Sequence, residues 1–259
     1  MGDIHLVDSV GSKSRTMQSV LICCVLAFAL ACGGPTSPTP PGDSFTFTFD
    51  FSDRPEGWLA GFADYPVYME NQMVNVADYR TLPSPLDESK SALYISGINY
   101  SGNLFMFYKK QVFGLVPNAL YDASFFVEIA SNVPRGCFGI GGPPGESVFV
   151  KLGASGIEPQ RVLTSDRYVL NVDKGNQSQG GAAAAVVGDI ANSIPCQAAP
   201  GGGLLYRWEL KILTSPPAAV RLRTAPDGSM WVLAGTDSGF DGRTELYYTK
   251  LSATFRLAQ

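Results

Sequence analysis

Histidine is almost absent from this 259-residue chain, occurring once, as His5. Charge is sparse as well: 19 Lys and Arg stand against 23 Asp and Glu, a formal net charge of −4. Neither sign is gathered into a block, which argues against a nucleic-acid partner, since that needs a concentrated Lys/Arg footprint. No long segment keeps a helical period, and no apolar run reaches the roughly 20 residues of a membrane-spanning helix. Cysteine is confined to five positions. What the chain does have is 28 glycines and 18 prolines, a composition that demands many turns.

The lone histidine lies in a segment expected to be removed. Lys13 and Arg15 precede an uncharged run, SVLICCVLAFALA, at 19–31, and Cys32 follows it. The run is about 13 residues, and GGPTSPTPPGD comes next in place of a basic stop-transfer cluster. Residues 1–31 therefore read as a secretory signal peptide. Ala29-Leu30-Ala31-Cys32 resembles the lipobox of bacterial lipoprotein precursors, in which a small residue precedes the cysteine that takes the lipid. Ala31 and Cys32 match; Ala29 stands where Leu is usual, so cleavage without lipid is the alternative. The resemblance implies lipidation of Cys32, a membrane as partner and a place in the cell envelope. The non-acidic Gly33 points to the outer membrane where the cell has one.

Loss of His5 leaves the mature chain without an imidazole. That excludes Ser-His-Asp and Cys-His catalysis and any His-ligated zinc site. Cys23 and Cys24 leave with the signal, and with Cys32 assigned to lipid only Cys137 and Cys196 remain. In an exported chain they read as one disulfide, two free thiols being the rival reading. Residues 32–43, rich in Pro, Thr and Gly, read as an extended tether, and 44–259 as one domain.

Within 44–259, ten β-rich runs alternate with turn clusters: 44–51, 91–97, 103–113, 119–130, 147–154, 167–173, 204–213, 219–224, 229–236 and 244–257. Phe45, Phe47, Phe49 and Phe51 alternate with polar residues, a period of two with one apolar face. The run at 103–113 is apolar on both faces up to Tyr108, which places it deep in the stack. GGAAAAVVGDIAN at 180–192 reads as a loop with at most one short helix. About ten strands and no helical layer predict an antiparallel β-sandwich, a jelly roll.

FDFSDRPEGW at 49–58, the middle block 91–131 and a final hairpin resemble jelly-roll carbohydrate-binding modules and the wider galactose-binding-like sandwiches. Gly114, Leu115, Pro117, Asn118 and Tyr121 match a phrase that in those families turns into a central strand. The resemblance implies a binding module, with a polysaccharide or glycan as ligand and a structural calcium near the end of the first strand.

GTDSGFDG at 235–242 places Asp237 and Asp241 where a calcium loop has oxygen donors, with Asp50 and Asp53 as distant ligands. It lacks the bidentate Glu, since Tyr248 stands at the twelfth position, so a hairpin loop and an acid pair are the other readings. Asp173, Lys174, Asn176 and Gln177, in NVDKGNQSQGG, suit either sugar hydroxyls or plain turn chemistry. Trp58 and Tyr65, with Asp64 beside them, are candidates for a sugar-stacking platform. Tyr68, Tyr100, Trp208 and Trp231 are further options, the two tryptophans lying inside strand patterns. Asp64, Glu70, Glu146, Glu158, Asp189 and Glu209 could supply the two carboxylates of a hydrolase, though no spacing pairs them. The expectation is an exported, lipid-anchored, carbohydrate-binding-module-like protein. A structural or adhesive envelope protein contacting other proteins is the first alternative, and a carboxylate-dependent polysaccharide hydrolase the second.

Overall fold

The computed structural model describes residues 43–259. The expected signal segment, Cys32 and all of the tether before residue 43 lie outside the described residues. Along the described chain the strands are β1 (Ser44–Asp50), β2 (Leu59–Ala63), β3 (Tyr65–Pro66), β4 (Val76–Thr81), β5 (Ser91–Ile98), β6 (Leu104–Val112), β7 (Leu120–Ser131) and β8 (Val148–Ser155). They continue as β9 (Arg161–Thr164), β10 (Arg167–Leu170), β11 (Ala184–Asp189), β12 (Glu209–Thr214), β13 (Val220–Arg223), β14 (Met230–Ser238) and β15 (Arg243–Leu257). A short 3-10 helix, Val67–Gln72, lies between β3 and β4. No helix among the described residues is long and apolar enough to cross a membrane.

The fold is an antiparallel β-sandwich. One sheet runs β12-β7-β15-β5-β4, with β1 also on β15 and β13 also on β7; the other runs β11-β8-β14-β6-β2. Alternation decides what enters the space between them. Leu104, Met106 and Tyr108 of β6, Val148, Val150 and Leu152 of β8, and Val232 and Ala234 of β14 face inward. They meet Tyr121, Phe125, Val127 and Ile129 of β7 and Leu246, Tyr248, Leu251 and Phe255 of β15. Each of the ten β-rich runs carries a strand; β2, β3, β4, β9 and β11 are additional. The turn phrase at 114–121 does turn into a strand. Asn118 has φ 54°, and the Val116 N–H donates to the Tyr121 hydroxyl at 3.0 Å as β7 begins.

Two expectations are corrected. The alanine-rich segment at 180–192 is neither loop nor helix in its centre: β11 pairs antiparallel with β8 at the sheet edge. Small side chains are what that place needs, since a Cβ on Gly153 of β8 would sit 2.1 Å from the Ala183 carbonyl oxygen. Close pairing overrides alanine's helical preference. The final hairpin does not exist either. β14 pairs with β6 and β8 in the five-strand sheet, whereas β15 pairs with β1, β5 and β7 in the other. The residues between them arch from one layer to the next.

The outward face of the five-strand sheet is covered as well. Phe105, Phe107, Leu233 and Ala184 form a second small core with Ala63, Leu170, Val172 and Ala183. Chain 156–183, including β9 and β10, thus acts as a roof over that face, and β10 also pairs with β3.

Cys137 and Cys196 are joined by a disulfide across a sequence separation of 59. Replacing both by alanine should lower unfolding free energy by about 4 kcal/mol, the loop-entropy value for a ring of this size. Chemical denaturation of the double variant against the parent checks this.

Candidate functional site

The polar residues singled out by sequence do meet, but mostly beneath the roof. Asp237 is fully buried at the end of β14. Its Oδ2 receives Lys174 Nζ at 2.6 Å, Lys151 Nζ at 2.9 Å and the Gln177 N–H at 2.9 Å. Lys174 Nζ also reaches Asp64 Oδ2 at 2.7 Å, and Lys151 Nζ donates to the carbonyls of Lys174 and Gln179, each at 2.9 Å. Asp173 closes the turn, Oδ1 accepting from Gly175 N and Oδ2 from Ala182 N. These backbone donors hold its carboxyl below the usual range. Asp64 and Lys174 are thus buried fastenings of the roof, correcting their reading as ligand contacts, and Asp173 and Gln177 hold the turn that the segment's second reading expects. Asn176 alone of that group is exposed without such a role; its carbonyl accepts from Gln179 N.

The calcium set is not assembled. Ammonium groups occupy the place beside Asp237 that a cation would take, and Asp241 Oδ1 instead accepts the Gly102 N–H at 3.0 Å. Ser52, next to Asp50 and Asp53, bonds Ser91 at one end of β5, while Gly242 bonds Asn99 at the other. An eight-residue strand, roughly 25 Å, separates the two pairs. No group of three His, Cys, Asp or Glu side chains among the described residues is placed to hold a metal ion.

Trp58 is corrected too. Its ring is buried, edge-on to Phe49 at 5.2 Å and Phe51 at 5.9 Å, and it closes the core beneath β1. Tyr65 fares differently. Its ring is buried against Tyr168, but its hydroxyl lies at the wall of an open cavity of about 530 Å³ at the β2 edge of the sandwich.

β2 supplies one side of that cavity with Ala60, Gly61 and Phe62. Gly61 is required by contact: a Cβ there would lie 2.3 Å from the buried Phe107 ring. Met73 adds to the apolar lining. The polar lining comes from β3, the 3-10 helix, β6 and the roof. Tyr65 OH donates to Glu70 Oε2 at 2.7 Å, and Arg161 NH1 donates to both Glu70 oxygens, at 2.9 and 3.0 Å, and to the Tyr65 hydroxyl. The Arg161 guanidinium also lies 4.2 Å from the centre of the Tyr168 ring. Lys109 Nζ is held by Glu158 Oε1 and the Pro159 carbonyl, each at 2.7 Å, and Gln160 Nε2 donates to Glu158 Oε2. Asn75 completes the lining, its Oδ1 buried without a hydrogen-bond partner.

The electrostatics follow from these contacts. Burial, then the bond to Glu70, pushes the Tyr65 phenol up to about 12. Burial opposes ionisation of Glu70, but the hydrogen bonds from Tyr65 and Arg161 prevail and hold it below the usual carboxylate range. Lys109 and then Gln160 do the same for Glu158. Each cation of the lining is thereby matched by a carboxylate. Sequence reasoning had Tyr65 and Glu70 on separate candidate rosters and missed Arg161, 91 residues from Glu70, for which no local signal exists.

Of the six carboxylates weighed for hydrolysis, only Glu70 lines this cavity. Glu146, Asp189 and Glu209 line a different open hollow of about 450 Å³. There Asp189 takes Lys211 Nζ at 2.7 Å, Glu209 takes the Ser193 N–H and hydroxyl, and Glu146 Oε1 takes the Gly136 N–H. These contacts fasten the loops around the disulfide.

No family model and no curated protein matches the chain. Solved structures similar to it include one described as concerning carbohydrate-binding modules of the β-sandwich superfamily (12% identity, TM-score 0.35, 77% of this chain). This chain spans 60% of that one's length. Others are the K1 cleaved adhesin domain of Lys-gingipain from Porphyromonas gingivalis W83 (11%, 0.34, 83% of this chain and 99% of that) and TmCBM61 in complex with β-1,4-galactotriose (10%, 0.32, 80% and 99%). At these values the similarity is one of sandwich architecture and carries no ligand across.

Two outcomes test the site's electrostatics. Asp237→Ala removes the acceptor shared by Lys151, Lys174 and the Gln177 N–H and should cost about 3–5 kcal/mol; the midpoint of thermal unfolding should fall by roughly 10 °C. For Tyr65, the folded state keeps a proton that the unfolded chain releases, so its contribution is full below about pH 10 and is lost as pH rises toward 12. Denaturation across that window should show a fall in stability that Tyr65→Phe makes shallower.

Proposed function

We propose that this chain is a binding protein for neutral glycans, using the cavity between β2, β3, the 3-10 helix and β9. The observation that carries the reading is the cavity's mixed chemistry. Its lining mixes apolar groups, Ala60, Gly61, Phe62 and Met73, with the hydrogen-bonding groups of Tyr65, Arg161 and Gln160. A sugar ring has the same two aspects, apolar C–H faces and a hydroxyl rim. Because Arg161 and Lys109 are already paired with Glu70 and Glu158, no net charge is left to attract an acidic polymer. A single lining carboxylate, engaged by Tyr65 and Arg161, favours binding over hydrolysis. Export and lipid attachment at Cys32 belong to the same proposal and rest on the residues around 13–33.

A second reading, contact with another protein, is favoured by one feature. Phe138 is 100% exposed and Ile140 76% exposed on the loop beside Cys137.

Thermal unfolding against xylan, mannan, galactan and β-glucan, with alginate and polygalacturonate as acidic counterparts, separates these. A ligand at about 100 times its dissociation constant stabilises by about 2.7 kcal/mol, so the midpoint should rise by roughly 5–10 °C. Arg161→Ala and Gly61→Val should each abolish the rise. No shift with any polymer, or a shift with the acidic ones alone, defeats the reading.

A further inference from the structure

We propose that Lys151 and Asp237 condense to an intramolecular amide, joining β8 to β14 covalently. Both side chains are fully buried, with Lys151 Nζ 2.9 Å from Asp237 Oδ2. They stand on neighbouring antiparallel strands, where Lys151 is opposite Gly235. The pair therefore meets diagonally across one face of the sheet, held by the ladder itself.

The surroundings fit each partner to its part. A neutral lysine amine has two N–H groups and one lone pair, and Lys151 Nζ has two backbone acceptors, the carbonyls of Lys174 and Gln179. With two of its directions fixed there, Nζ turns the third to the Asp237 carboxyl. Burial, the largest influence on Lys151, moves its pKa down toward that neutral form, against the hydrogen bond to Asp237. On Asp237 the two oxygens are sharply unequal. Oδ2 also receives Lys174 Nζ and the Gln177 N–H, two fixed donors aimed where negative charge would develop during attack. Oδ1 is buried and accepts nothing, which makes it the oxygen that departs. Lys174 Nζ is also paired with Asp64 Oδ2 at 2.7 Å.

The step balances without a co-reactant. Lys151 Nζ adds to Cγ of Asp237, forming the N–C bond. The Cγ–Oδ1 bond breaks, and Oδ1 leaves as water with the two protons that Nζ gives up. Starting from ammonium and carboxylate, the sum is one amide and one water. The Lys174–Asp64 pair is unchanged, so the buried charge is zero before and after. The reacting atoms are held in place by the fold, which removes the entropy cost of bringing them together.

Peptide mapping of the intact, folded chain decides it. After reduction and trypsin, segments 136–161 and 224–243 should appear as one cross-linked species, a water lighter than their sum, with Lys151 uncleaved. Asp237→Ala and Lys151→Arg should release the two peptides. Asp237→Asn should give the same cross-linked product by losing ammonia instead of water. Free peptides with cleavage at Lys151 in the unmodified chain overturn the proposal, and that result needs no variant to fold. A cross-link found at Lys174 overturns the assignment of Lys151 as nucleophile.

Discussion

Lys174 ties together parts of the chain that are far apart in sequence. From the roof its ammonium reaches Asp237 on β14 and Asp64 just beyond β2, while Lys151 rises from β8 to the carbonyls of the same roof segment. Lys151 and Lys174 balance Asp237 and Asp64 to no net charge, before condensation and after it, so the group tolerates burial that none of its members would tolerate alone. Such a network contributes more to placement than to net stability, since an apolar cluster of equal volume would serve as well energetically. Within 171–183, Lys174 Nζ, the Gln177 N–H and the Lys174 and Gln179 carbonyls each meet a partner on Asp237, Asp64 or Lys151. Glycine supplies the clearance. A Cβ on Gly235 would lie 2.7 Å from the Phe105 ring, and Asp64 itself sits at φ 67° to face the lysine.

This arrangement explains why the outward face of the five-strand sheet reads ambiguously in sequence. Phe105, Phe107 and Leu233 look like core residues and are core residues, but of a different core from Leu104, Met106 and Val232. A strand buried on both faces gives a continuous apolar run, and that much was legible in 103–113. What covers the second face was not, because the roof is held by polar side chains whose sequence pattern is that of a turn. NVDKGNQSQGG is a turn, and it is also the carrier of the buried lysine.

Legibility elsewhere tracked the strength of the local pattern. The ten runs with alternation or continuous apolar content all carry strands. β4 and β9, with mostly exposed residues, offered no pattern, and β11 was hidden by alanines that favour helix in isolation. Adjacent strands usually pair, which made 229–257 read as a hairpin; nothing local distinguishes a tight turn from an arch between layers. For the same reason Asp237 read as a loop residue, although β14 continues through Ser238. Trp58 misled by its setting: a Gly-Trp in a polar stretch looks exposed, yet Phe49 of β1 and Phe51 just beyond it present the same face for it to close.

The cavity and the roof are one construction. Gln160 and Arg161 enter the cavity from the segment that Lys109 fastens through Glu158 and the Pro159 carbonyl, so their positions are fixed before any ligand arrives. Arg161 is held again by Glu70 and by the face of Tyr168. Side chains already ordered lose little further freedom on binding, which removes one of the main costs of recognition. The same fixity limits what is recognised. With each cation paired, attraction at long range is weak, and selection falls to the fit between hydroxyl positions and a rigid set of donors and acceptors. Gly61 sets the other limit, since any side chain there would have to displace the Phe107 ring.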